Sequence, residues 1–368
     1  MSLLRRIPAL FVLMVVLGML LSCCRKNVHQ PRTSNVKQPA PSATSLIAPV
    51  TNTVITWGDS VKIELSAGTV PIRVDSVSIT TGANTRVIPT ASLENLYWSS
   101  RGSRVGQTTL RIKVHYDDSL QDSHNVSLVI LSELLPEKYT YRIIKQYPHD
   151  NQAYTQGLVY DKGLLYESTG LEAKSSLRIV DIATGNKVKM VALAPQYFGE
   201  GITLFKDQIY QITYKNQVGF VYDRQTLQQI RSFDYQIREG WGLTTDGKNL
   251  IMSDGSAQLF FIEPEYFTQV DKIEVFDNRG LISSLNELEY INGKILANVY
   301  GQTYIVIIDP LTGKVTGKTD LDKLMPEGAR GDYAKVLNGI AYDPKTGHLY
   351  ITGKNWPYLY EIELSPSL

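Results

Sequence analysis

A unit of short strands and turns recurs along the second part of this 368-residue sequence, and such a repeat limits the possible folds more sharply than composition does. The copies open at Gly157-Leu158-Val159-Tyr160, Gly201-Ile202-Thr203-Leu204, Gly242-Leu243-Thr244-Thr245, Leu288-Glu289-Tyr290 and Gly339-Ile340-Ala341-Tyr342. Counted from Leu158, Ile202, Leu243, Leu288 and Ile340, the steps are roughly 44, 41, 45 and 52 residues, the length of one four-stranded propeller blade. Helical solenoids share that period. Here, however, each copy carries turns such as Asp161-Lys162-Gly163, Asp246-Gly247 and Asn292-Gly293, and no copy carries an apolar stripe of helical spacing. The reading is all-β, with a five-bladed β-propeller over residues 136–368. The last copy shows only three strands, ending in Leu359 to Leu364, so the strand expected from Tyr139 to Tyr147 should supply its outer edge and close the ring.

Ahead of the repeat, residues 53–135 alternate or cluster β-branched residues between turn signals, as in Val61 to Leu65, Val74 to Ile79, Leu110 to Val114 and Val126 to Leu131. That pattern predicts a small immunoglobulin-like β-sandwich with Trp57 and Trp98 as core anchors. His115 and His124 are isolated there, so the module reads as a spacer or adhesive domain. Residues 24–52, rich in Gln, Pro, Ser, Thr and Asn, read as a flexible linker. Residues 1–23 pair Arg5 and Arg6 with an apolar run that ends Leu20-Leu21-Ser22-Cys23, the pattern of a bacterial lipoprotein signal peptide. Cys23 is the expected lipidation site, with Cys24 as its alternative. The expected location is the cell envelope, on a membrane through the lipid anchor and facing the periplasm.

Cys23 and Cys24 are the only cysteines, which excludes a disulfide framework, a thiol nucleophile and a Cys-based metal site. A net charge of +1 gives no global field for nucleic acid.

The repeat also aligns chemistry. Residues just before each opening are Gln156, Glu200, Trp241, Asn286 and Asn338, which a propeller would bring to one ring at the channel mouth. Four residues beyond Tyr210, Leu296 and Tyr350 on the next strand lie Tyr214, Tyr300 and Lys354, a second ring. Gln156 and Asn286 could cap strand ends, Trp241 could be packing, and Glu200 with Lys354 could be a structural ion pair. Their clustering by symmetry is better explained by a pocket.

The wording of these motifs is distinctive. Tyr147-Pro148-His149-Asp150, Ala153-Tyr154-Thr155-Gln156-Gly157-Leu158, Tyr166-Glu167-Ser168-Thr169-Gly170-Leu171 and Ser175-Ser176-Leu177-Arg178 closely resemble the plant and bacterial-type glutaminyl cyclases. So do Tyr197-Phe198-Gly199-Glu200-Gly201, Gly240-Trp241-Gly242-Leu243, Leu285-Asn286-Glu287-Leu288-Glu289-Tyr290 and Thr352-Gly353-Lys354-Asn355-Trp356-Pro357. The resemblance runs from about Tyr139 to Leu364 and leaves the first domain uncovered. It implies a metal-independent five-bladed propeller enzyme without cofactor, which closes the N-terminal glutamine of a peptide into pyroglutamate and releases ammonia. It further implies Glu200 as catalytic acid/base, Gln156, Asn286 and Lys354 around it, and Phe198 and Trp241 in the pocket wall. Tyr154, Tyr214 and Tyr300 are read as further substrate-binding walls. Tyr154 stands where the family usually has Phe, and Tyr214 and Tyr300 stand where Trp is expected.

Three other readings are weighed against this one. A metal-dependent lactonase-type propeller needs several carboxylate ligands on one channel, and the first ring offers only Glu200. A serine hydrolase lacks its Gly-x-Ser-x-Gly elbow, and His149 and His348 lie outside both rings. A non-catalytic peptide-binding propeller remains the alternative. A monomer is expected.

Overall fold

The computed structural model describes residues 42–367 except 70, 91 and 92, so Cys23, Cys24 and the signal segment lie outside the described residues. The described chain is all-β, with one short 3-10 helix at Asp322–Leu324, and the described residues form one compact unit.

The first part packs two sheets on a shared core. A three-stranded sheet orders Thr44–Ala48, Ser60–Ala67 and Leu96–Ser99, and a five-stranded sheet orders Thr53–Thr56, Leu120–Leu131, Gly106–Tyr116, Val74–Thr81 and Asn84–Pro89. Ile63 and Leu96 from one meet Val77, Ile112 and Leu128 from the other. Trp98 is buried in this core, as expected. Trp57 packs at its edge, donates Nε1–H to Ser103 O at 2.9 Å, and carries the Lys314 ammonium 3.5 Å over its ring. His124 and His115 are hydrogen-bonded to Thr44 and Ser78.

The linker expected over residues 24–52 does not extend that far. Thr44–Ala48 is a strand, because Thr44 is buried and donates both its N–H and its hydroxyl to Asp122 at 2.7 and 2.8 Å. A partner 78 residues away cannot be read from local composition. The two parts are joined by contacts of the same kind: Arg104 pairs with Asp271 at 2.6 Å, Lys314 with Glu133 at 2.8 Å, and Gln107 N–H donates to Glu274 at 2.6 Å.

The second part contains three four-stranded sheets, spanning Thr155–Ala192, Gly199–Asp234 and Leu243–Glu274, and one eight-stranded sheet. Their innermost strands, Thr155–Asp161, Gly199–Phe205, Leu243–Thr245, Leu285–Ile291 and Leu337–Asp343, each pack on the next, and the last returns to the first. The arrangement is propeller-like. Glu137–Pro148 pairs antiparallel with Tyr358–Pro366 over a long register from Pro148 opposite Tyr358 to Tyr139 opposite Pro366, so the early strand does complete the last sheet. It also pairs in parallel with Val315–Asp320, which fuses two four-stranded groups into the eight-stranded sheet. That second pairing has no counterpart in the repeat pattern.

Candidate active site

Inner strands crowd together where they enter the ring, and glycine makes this possible. A Cβ on Gly157 would come within 2.5 Å of Ile202 N, one on Gly201 within 2.4 Å of Leu243 N, and one on Gly242 within 1.9 Å of Asn286 O. At the same level the strand pairing slips: between Thr155 and Gly157, Gly199 and Ile202, Leu285 and Leu288, and Leu337 and Ile340. Gln156, Glu200, Asn286 and Asn338 all fall in these irregularities. A bulge frees a residue from ladder alternation and re-aims its side chain.

One cavity of about 270 Å³ results, lined by Tyr154, Gln156, Phe198, Glu200, Tyr214, Trp241, Asn286, Tyr300 and Lys354. With one exception, every residue expected from the two rings or the resemblance to act in the pocket is in this lining. Asn338 is not. Its Nδ2 donates to Thr155 O at 2.9 Å and to Gln156 Oε1 at 3.3 Å, so it holds Gln156 from behind.

Gln156 Nε2 in turn donates to Glu200 Oε1 at 2.8 Å. Glu200 is 5% exposed, and burial pushes its carboxyl well above the usual carboxylate range, an effect that the Lys354 charge opposes and the Glu239 charge reinforces. Burial likewise lowers Lys354 to about 8, against the pull of Glu200. No ion pair joins the two among the described residues. The Lys354 ammonium lies 4.7 Å from the Tyr154 ring centre and 5.1 Å from that of Tyr300. Asn286 is buried, and its Oδ1 has no partner in the protein. A buried amide oxygen left open in this way is a group waiting for a ligand donor.

The aromatic walls form a belt. Tyr154 meets Phe198 at 6.2 Å, Phe198 meets Tyr214 at 5.7 Å, Tyr214 meets Trp241 at 6.4 Å and Trp241 meets Tyr300 at 5.6 Å. Lys354 completes the circuit between Tyr300 and Tyr154. Two glycines make room for it: a Cβ on Gly170 would strike the Phe198 ring at 2.3 Å, and one on Gly255 the Trp241 ring at 2.5 Å. Glu239 fixes the indole, accepting from Trp241 Nε1 at 3.1 Å.

Two buried groups escaped the sequence reading as parts of the site. Glu287 follows Asn286 where the other strands have glycine. Its carboxylate accepts from Leu158 N–H at 3.2 Å and Ile340 N–H at 2.8 Å, tying three inner strands together just past the pocket residues. The signal was visible as the one break in a column of glycines. His149 is buried against Glu167 at 3.0 Å and bonded to Trp356 O at 2.8 Å, and Thr155 donates to the same carboxylate at 2.8 Å. It therefore links the segment holding Gln156 to the one holding Lys354. Burial opposes its protonated form, but the Glu167 charge and the hydrogen bonds to Glu167 and Trp356 O together raise it above the ordinary imidazole value.

Among the described residues, no group of three or more His, Cys, Asp or Glu side chains is arranged to hold a metal ion.

Residues 121–364 match the family model described as glutamine cyclotransferase. A glutaminyl-peptide cyclotransferase of Arabidopsis thaliana is 41% identical over 227 residues, covering 60% of this chain and 70% of that protein. The crystal structure of Myxococcus xanthus glutaminyl cyclase superposes with a TM-score of 0.59 at 34% identity, covering 64% of this chain and 100% of that one. With a family match across more than half of its length, the chain belongs to the glutamine cyclotransferase family.

Proposed function

We propose that this protein is a glutaminyl-peptide cyclotransferase that closes an N-terminal glutamine into pyroglutamate with release of ammonia, using Glu200 as its proton shuttle. The observation that carries this reading is the cavity itself. It encloses one buried carboxyl with a raised proton affinity, one buried ammonium, and an amide oxygen without a partner, all inside an aromatic belt.

The reaction joins groups that the substrate already tethers. Its α-amine, as the free base, attacks the γ-carboxamide carbon and forms the new C–N bond. The surplus proton on that nitrogen passes to the Glu200 carboxylate. Glu200 returns it to the γ-amide nitrogen as the old C–N bond breaks, so ammonia leaves and the enzyme ends as it began. A carboxyl raised by burial suits both halves of this exchange. Lys354 or a side-chain amide of Gln156 or Asn286 can donate to the carbonyl oxygen as charge builds on it, each donor contributing about 3 kcal/mol. The belt packs the glutamine methylenes and excludes water, which favours cyclisation over deamidation.

The scaffold is read as a five-bladed propeller, supported by five mutually packed inner strands, behind an immunoglobulin-like sandwich over residues 53–135. Residues 1–23, with Cys23 as the lipidated residue, are read as a lipoprotein signal for a monomer held at the cell envelope, supported by Arg5, Arg6 and the apolar run after them.

Ammonia release from Gln-Ala and Gln-Gln, measured with a strong chelator present, tests the activity. Chelator-resistant release with a pyroglutamyl product is expected. Glu200→Gln, which keeps the shape and the Gln156 contact, should lower kcat about 10²- to 10⁴-fold with a smaller change in KM. Full activity in that variant would overturn the assignment of Glu200. A folded wild-type chain that binds both peptides but releases nothing would instead be a binding module.

A further inference from the structure

The step from the fourth repeat opening to the fifth is the longest, and its extra chain follows the strand Val315–Asp320 as a loop through Val336. This loop is anchored beside the pocket. Lys354 N–H donates to Val336 O at 2.9 Å, Trp356 Nε1 to Lys335 O at 2.8 Å, and Asn355 Nδ2 to Ala334 O at 3.0 Å. Three successive loop residues are thus tied to the segment that carries the pocket ammonium.

The residue just before this anchored stretch is Tyr333, and it is 68% exposed. Its ring lies 6.2 Å from that of Tyr300 at 33°, so it extends the aromatic belt outward from the pocket rim. Gly301 turns the chain beside this ring. Its φ of +76° is one that glycine tolerates. Behind Tyr333 lies a second cavity of about 260 Å³ that begins at Gly301, the residue after the pocket's Tyr300; Met325, Ala329, Val336 and Leu337 make its apolar side, and Asp322, Arg330 and Asp332 its charged one. On the opposite rim the neighbours are charged: Lys215 lies 4.5 Å from the Tyr214 ring centre, and Glu239 holds Trp241. An exposed aromatic ring and the apolar side of this groove therefore meet on the Tyr300 side of the mouth.

We propose that this groove is the subsite for the residue that follows the glutamine, with Tyr333 as a specificity-determining residue that favours an apolar or aromatic side chain there. The inference rests on the cyclisation reading: the α-amine and γ-carboxamide must both be inside the pocket, so the α-carbonyl and everything after it must leave through the mouth. The next side chain is one residue step away, about 3.8 Å between Cα atoms, and the groove is one wall away. The occupant is fixed by covalent continuity with the glutamine.

The test is the ratio of kcat/KM for Gln-Phe-amide to that for Gln-Gly-amide, read by ammonia release. The wild-type chain should favour the phenylalanyl peptide. Tyr333→Ala should lower the ratio about 2- to 10-fold, the range of one aromatic pair, and Tyr333→Phe should keep it. A ratio that is the same in the wild type and Tyr333→Ala, including one in which both peptides slow equally, would overturn the subsite. No ammonia from either peptide with the wild-type chain would refute the cyclisation reading on which the subsite rests.

Discussion

Replacing Gly242 by alanine probes whether strand spacing holds the pocket together. The new Cβ would sit 1.9 Å from Asn286 O, a backbone atom that also accepts from Ser253 Oγ at 2.7 Å, while Ser253 Oγ accepts from Gly242 N–H at 2.7 Å. Non-bonded atoms settle near 3.5 Å, so relief takes a shift of more than about 1 Å between the strand entries carrying Trp241 and Asn286. Overpacking of this kind costs about 1–3 kcal/mol of stability. A displacement of that size in a reacting geometry costs about 10²-fold in rate. Gly219→Ala supplies the comparison: its Cβ would strike the Phe233 ring at 2.0 Å, inside a sheet core and away from the pocket lining. Thermal unfolding followed by circular dichroism and kcat/KM for Gln-Ala should be measured for both. Both variants should lose stability, and only Gly242→Ala should lose about 10²-fold in kcat/KM at a temperature where each is folded. Activity of Gly242→Ala within about threefold of Gly219→Ala would refute the reasoning, because that 10²-fold loss rests on Asn286 being held by this contact.

Two further perturbations probe the buried charges. Lys354 is lowered to about 8 by burial, so between pH 8 and its unfolded value of 10.5 the unfolded chain binds the extra proton and stability should rise with pH across that window. Lys354→Met should abolish this rise in urea titrations and also remove a fall in kcat/KM above about pH 8; retention of both would separate the residue from the titration. Glu287→Gln turns one of two acceptors that face the Leu158 and Ile340 amides into a donor, and should destabilise by about 1–3 kcal/mol in urea unfolding, with no change indicating that the strands are held without it.

Much of the site was legible because it depends on local signals. Turn residues and strand alternation define a repeat unit, and the unit superposes Gln156, Glu200, Trp241 and Asn286, then Tyr214, Tyr300 and Lys354, at equivalent positions. Side chains at equivalent positions around a ring are brought toward one another, and these seven line one cavity. The strand at Glu137–Pro148 was legible for a related reason, since a repeat one strand short needs an edge partner.

Tertiary structure decided the rest, because it turns on distances between atoms far apart in the chain. Asn338 has the same register as Gln156, yet it supports that residue rather than facing the cavity. Glu287 reads as one more polar residue until the fold brings the Leu158 and Ile340 amides to its side chain. Thr44 looked like linker until Asp122 claimed it. The raised affinity of Glu200 for its proton and the lowered one of Lys354 are products of burial, which no residue has by itself. By itself the sequence determined the repeat and which residues would face one another; folding determined how far water was removed from them, and so what chemistry they can do.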